Sequence, residues 1–213
     1  MIEMKTADVR VRVAPKEKMT FEDFLDWCDE DTHAEWVNGE VQMTSPANDE
    51  HQDLADFLTT VLRQFVRQKK LGWIRSAPFL MRLPDSSRGR EPDILFVRQE
   101  HLARVKKTYL DGPADLAIEI ISPESVGRDR GEKFVEYEQA GITEYWLIDP
   151  TRARAEFYRL DARGMYRLID PDANGVYRSQ VVDGFWLRVD WLWQDPLPME
   201  EDVLREVREN QKG

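Results

Sequence analysis

Two carboxylates of this 213-residue chain stand where a carboxylate is costly. Asp93, in GREPDILFV, follows a proline and immediately precedes a short apolar run. Glu119 lies in the middle of DLAIEIIS. There Leu116, Ile118 and Ile120 alternate with Ala117, Glu119 and Ile121, so the implied strand is apolar on both faces apart from the acid. A lone carboxylate in such a strand requires a cation, a proton or a set of hydrogen bonds. If the two strands are neighbours, both acids converge at one end of a sheet. Two carboxylates with backbone carbonyls then form a hard-oxygen set of the kind Mg²⁺ or Mn²⁺ takes. The same residues admit a structural reading, with Asp93 turning the chain into its strand and Glu119 paired with Arg128 or Arg130.

Other familiar chemistry is absent from the sequence. It contains no H-E-x-x-H, no phosphate-binding glycine loop, no G-x-S-x-G and no paired cysteines. Its three histidines, His33, His51 and His101, are scattered, and Cys28 is the only cysteine, which excludes an intramolecular disulfide or a cysteine-based zinc site. Lysine and arginine total 30 against 41 acids, a net charge of -11. That balance argues against a general basic coat for nucleic acid or anionic membrane, but it leaves room for a local basic groove and suits a site that collects divalent cations. The opening MIEMKTADVRVRV lacks the apolar run of a signal peptide, and no stretch is long enough to span a bilayer. The expectation is a cytoplasmic protein with no membrane partner.

The elements that must position the two acids follow from the pattern. One α/β domain is expected over residues 1–213: an arm at 1–18, a core at 20–150, and antiparallel strands with a C-terminal helix at 151–213. Thr20 caps a short helix, and HAEWVNGEVQMT is a hairpin turning at Asn38-Gly39. The clearest helix starts near Asn48 and carries Leu54, Phe57, Leu58, Val61, Leu62, Phe65 and Val66 at helical spacing. WIRSAPFLMRL, DILFV and the Glu119 segment follow as strands. RDRGEKFVEYEQAG then reads as a helix before the strand EYWLID, a crossover that implies a parallel pair.

The run EPDILFV, DLAIEIISPES and RDRGEKFVEYEQAGITEYWLIDP, preceded by AEWVNGEVQMTSPANDEHQDLADFL, resembles the Uma-two family over about residues 20–150. That family is a branch of the PD-(D/E)XK nuclease superfamily. The resemblance implies a restriction endonuclease-like core, a central mixed sheet flanked by helices, with additional C-terminal antiparallel strands. It also implies Mg²⁺- or Mn²⁺-dependent phosphodiester hydrolysis of nucleic acid, DNA ahead of RNA. Carried over, Asp93 matches the aspartate of "PD", Glu119 the second acid, and the backbone carbonyl of Ile120 the third metal ligand.

The lysine that the family pattern places two residues after the acid is Ile121 here. The resemblance implies that Lys133, on the following helix, supplies the catalytic amine instead. The alternative for Lys133 is an Asp129–Lys133 surface pair at i, i+4. Glu35, Glu40, Glu50 and His51 are further candidates for the site, and Tyr137 is either core or cleft lining. Arg88, Arg90, Arg128 and Arg130 are candidates for phosphate contacts. Ile121 and the acidic surface keep a second function open: a catalytically silent nuclease-like domain that binds nucleic acid or a protein partner. A homodimer built on the arm and on Trp186, Trp191 and Trp193 would suit cutting both strands of a duplex, and burial in the chain's own core explains those tryptophans equally well.

Overall fold

The computed structural model describes residues 13–29, 32–44, 48–84 and 87–209, so most of the expected arm at 1–18 lies outside the described residues. Helix α1 (Phe21–Trp27) starts in a capping box in which Thr20 and Asp23 satisfy each other's backbone N–H groups. Strands β1 (Ala34–Val37) and β2 (Glu40–Met43) form the expected hairpin. Asn38 and Gly39 turn it with φ of 53° and 86°, the left-handed backbone of a tight primed turn. Helix α2 (Asp49–Lys69) is capped by Asn48, whose side chain accepts the His51 N–H, and it buries the apolar stripe read from the sequence.

WIRSAPFLMRL is not one strand. It breaks around Ala77-Pro78 into β3 (Gly72–Ser76) and β4 (Leu80–Leu83), which join different sheets. Proline has no N–H to continue a ladder, and a break there lets one apolar run serve two layers. Next come β5 (Arg88–Arg90), β6 (Ile94–Arg98), β7 (Tyr109–Asp111) and β8 (Leu116–Ile120). Residues Arg128–Lys133 are wound as a π-helix that runs directly into α3 (Phe134–Ala140), where the sequence predicted one regular helix. The chain continues through β9 (Glu144–Asp149), β10 (Arg154–Leu160), β11 (Tyr166–Leu168), β12 (Val176–Arg178), β13 (Trp186–Arg188) and α4 (Glu200–Glu209).

The main sheet has six strands in the order β11-β10-β9-β8-β6-β3. Its parallel pair, β8 and β9, is joined by the expected crossover through α3. A second mixed sheet, β2-β1-β5-β4-β7, accompanies it, and β12 pairs with β13. Thus β10 and β11 extend the main sheet, and β12–β13 stands apart from it.

Both faces of the main sheet are covered, which explains why its strands are apolar throughout. Ile94, Phe96, Leu116, Ile118, Ile120, Trp146 and Ile148 face a core shared with α2 and α4. Leu95, Val97, Ala117, Ile121, Tyr145 and Leu147 face a second core, which includes Tyr137 of α3. Glu119 alternates into this second side, toward α3. Trp186 and Trp191 are buried in the first core and Trp193 packs against it, so the first two do not form an exposed dimer face.

Candidate active site

Asp93 and Glu119 meet because β6 and β8 are antiparallel neighbours. Ile94 pairs with Ile118, and continuing that register by one residue sets Asp93 opposite Glu119 at the sheet's end. The Ile120 N–H donates to Asp93 Oδ2 at 2.6 Å, and His51, in the first turn of α2, contacts the same oxygen through Nε2 at 3.2 Å. Two different elements therefore hold the Asp93 carboxylate.

Glu119 is almost fully buried, and its compensation comes from the helix that follows its strand. Lys133 Nζ donates to Glu119 Oε1 at 2.9 Å, and the Tyr137 hydroxyl donates to the same oxygen at 2.8 Å. The ammonium also lies 3.1 Å from Glu35 Oε1 and 3.6 Å from Asp129 Oδ1. Lys133 and Asp129 are each only 2% exposed, so the surface-pair alternative does not hold. The pairing of Glu119 with Arg128 or Arg130 does not hold either. Arg128 Nε stands 3.9 Å from Glu35 and 3.7 Å from Asp129, while Arg130 binds Asp149 and Glu156. The π-winding puts Arg128, Asp129 and Lys133 on one short segment beside the cleft.

These groups line a cleft of about 560 Å³ that contains Glu35, His51, Glu91, Asp93, Glu119 and Lys133 among its walls. Glu35 is the buried anchor of the side opposite the sheet. Its Oε2 accepts from Arg90 at 2.8 Å, and its Oε1 accepts the Glu91 N–H at 3.1 Å. Burial opposes the Glu35 charge, but Lys133, Arg90 and Arg128 outweigh it and hold the carboxyl at about 2. Glu91 has the reverse environment: burial, with Glu35 and Asp93 nearby, pushes it up to about 8 against the pull of Lys133. Burial likewise drives Glu119 upward, with Asp129 and Asp93 adding to it and Lys133 opposing. Burial works against the Lys133 charge, but Glu119, Glu35, Asp129 and Asp93 outweigh it and raise the amine, so Lys133 is an ammonium at neutral pH. His51 is raised as well, because Asp93 and the Ile120 backbone favour its charged form over the cost of burial.

Of the other residues singled out in the sequence, Glu40 is an exposed partner of Lys18, and Glu50 is exposed outside the cleft. Arg90 is fully buried and divides its guanidinium among Glu35, Glu132 and Glu136, and Arg88 binds Glu136, so neither is a surface contact for phosphate. Only Arg128 of the four arginines lines the cleft. Sequence reading missed Glu91 and did not place Asp129 in the site. Glu91 adjoins Pro92-Asp93, and Asp129 is one helical turn before Lys133; both were legible only as neighbours of better candidates.

The donor set suits a hard divalent ion. Six acids, Glu35, Asp56, Glu91, Asp93, Glu119 and Asp129, line the cleft against two basic side chains, Arg128 and Lys133, together with His51. Buried Asp129 Oδ1, Arg128 Nε and His51 Nδ1 all lack a hydrogen-bond partner, a sign that the cleft is shaped for something besides protein. Among the described residues no three His, Cys, Asp or Glu side chains already stand in a metal-holding arrangement. Mg²⁺ bound by one or two carboxylates, with water and phosphate oxygens completing its shell, does not need one.

A family model described as "Putative restriction endonuclease", Uma2, matches residues 21–190. The chain belongs to the Uma2 family. Membership supports nuclease activity in general. A crystal structure described as a "putative nuclease belonging to DUF820", from Anabaena variabilis, superposes on this Uma2 chain with a TM-score of 0.67 at 18% identity. The alignment covers 82% of this chain and 97% of that one, which establishes the shared fold. No curated protein matches the chain. No described helix of this Uma2 protein is long and apolar enough to cross a membrane.

Proposed function

We propose that this protein is a divalent-metal-dependent endonuclease acting on DNA, with Asp93, Glu119 and the Ile120 carbonyl as protein ligands to Mg²⁺ or Mn²⁺ and Lys133 as the catalytic cation. The observation that carries the reading is the bond from Lys133 to Glu119, beside Asp93, in a cleft of excess acid. That amine reaches the acid from the helix, which supports a replacement for the lysine absent at Ile121.

The bound ion would supply Lewis acidity toward the phosphoryl oxygen and lower the pKa of water. The chain's own groups supply the rest. His51 and the Ile120 N–H fix Asp93, and Tyr137 with Lys133 fixes Glu119, so neither carboxylate has to reorganise during the reaction. Lys133, kept protonated by its acidic surroundings, serves as a cation toward the phosphate and not as a base. Glu35 and Asp129 share that ammonium and hold it over the cleft. The hydrolysis adds water across one P–O bond, leaving a phosphate monoester and a hydroxyl end. Arg128, which lines the cleft, would meet a neighbouring phosphate.

The test is incubation of purified protein with supercoiled plasmid, with Mg²⁺ or Mn²⁺ and with EDTA. Nicking that requires the metal is the expected result. Salt-dependent DNA retention without nicking under any divalent ion would instead identify a nuclease-like domain kept for binding.

A further inference from the structure

Far from the cleft, the C-terminal half of α2 and the end of α4 enclose an open groove of about 450 Å³ lined by Thr60, Arg63, Gln64, Arg67, Gln68 and Arg208. In a chain of net charge -11 most arginines are committed to carboxylates, Arg88, Arg90, Arg98, Arg130 and Arg188 among them. Among the described residues Arg63, Arg67 and Arg208 have none, as is also true of Arg75, Arg104, Arg159 and Arg163, but these three converge on one groove. The helix dipole accounts for Arg67, in the last turn of α2, but not for Arg63 inside the helix or for Arg208, which comes from another helix. On α4, Arg205 binds Asp202 and Glu206 binds Arg188, which leaves Arg208 turned to the groove. Three unpaired guanidiniums interleaved with two amides and a hydroxyl form a surface for phosphate oxygens.

The groove is tied to the cleft by the same helix. Gln52, Asp56, Thr60, Arg63 and Arg67 follow one another at intervals of three or four residues and lie on a single stripe of α2. Gln52 and Asp56 line the cleft. At 1.5 Å per residue, Arg63 and Arg67 lie about 16 and 22 Å along the axis from Gln52. On a duplex, where each strand advances about 3.4 Å per phosphate, that span is roughly five to seven steps. Asp56 interrupts the stripe, so the contacts fall in two clusters separated by a gap.

We propose that the Arg63–Arg67–Arg208 groove is a second phosphate-backbone site, which holds nucleic acid away from the cleft and sets how the strand runs across α2. This rests on the nucleic-acid reading of the cleft, but not on its chemistry, since a protein that binds without cutting would use the same arginines. The probe is a fluorescent duplex long enough to span both sites, and binding is read by anisotropy over a salt series with Ca²⁺ in place of Mg²⁺. In the triple variant Arg63→Ala, Arg67→Ala, Arg208→Ala, affinity should fall roughly tenfold or more. The slope of log affinity against log salt should become shallower by about 2 to 3, near 0.9 per lost contact.

The matched Arg→Lys triple variant keeps the charge and should retain most of the affinity, which separates phosphate binding from a structural role. Wild-type affinity and salt slope in the alanine variant overturn the groove. A wild type that fails to cleave, yet loses binding with these arginines, overturns the nuclease reading alone. Both fall if the wild type does not bind the duplex.

Discussion

At the scale of single residues, the site is a problem in keeping charge buried. Glu119, Glu35 and Asp129 share one ammonium, and breaking such a set is costly because the remaining charges have no water to turn to. Glu35 gives the clearest pH signature. Its folded value of about 2 lies below the ordinary 4.5, so its stabilising contribution is fully present above about pH 4.5 and is lost as pH falls toward 2. The shift corresponds to about 3 kcal/mol. Urea unfolding measured from pH 6 downward should therefore show Glu35→Gln less stable than wild type near neutrality, with the two curves converging near pH 2. Curves that stay parallel would mean that Glu35 is not held ionised by Lys133 and Arg90. Glu35 itself was legible only as a hairpin acid equal in rank to Glu40. The two sit on the same hairpin, and what separates them is that β1 pairs with β5, which brings Arg90 against Glu35, while Glu40 faces solvent.

At the scale of elements, the sequence pattern was most reliable where periodicity and punctuation agreed. The Asn38-Gly39 hairpin, α2 and the β8-α3-β9 crossover all formed as expected, because each carries both an apolar period and a turn or cap. The split of WIRSAPFLMRL was not legible, since a continuous apolar run does not say which sheet each half joins. Nor was the π-winding at Arg128–Lys133, because polar residues with a glycine fit a regular turn equally well; that winding accounts for the tight set of Arg128, Asp129 and Lys133. Glu144 at the start of β9 shows a second buried acid with a different solution. Among the described residues no cation pairs with it, and it accepts from Trp146, Tyr177, Ser179 and the N–H groups of Gln180 and Val181. It therefore ties the β12–β13 connection to the main sheet. Glu144→Ala leaves those donors buried and should cost roughly 3 kcal/mol or more, read as a lower denaturant midpoint. A change within about 0.5 kcal/mol would show that the connection holds without it.

At the scale of the whole molecule, family and fold agree on a nuclease-type scaffold. On the proposed function, a chain of net charge -11 with an acidic cleft would need its cation in place before a polyanion could approach. The structure brings Asp93, Glu119 and Lys133 to one cleft; the two acids were legible as neighbours on adjoining strands, and Lys133 only through the family resemblance. The supporting groups, Glu91, Asp129 and the placing of His51, depend on the assembled layers and left no local signature. The measurement that bears most directly on the account is the single-turnover rate of DNA cleavage at saturating Mn²⁺ for wild type, Asp93→Asn, Glu119→Gln and Lys133→Met. Each variant should lose roughly 100-fold or more, with Lys133→Met still binding the metal. Equal residual rates in all four preparations would contradict it, because the cleavage would then belong to something other than these three side chains.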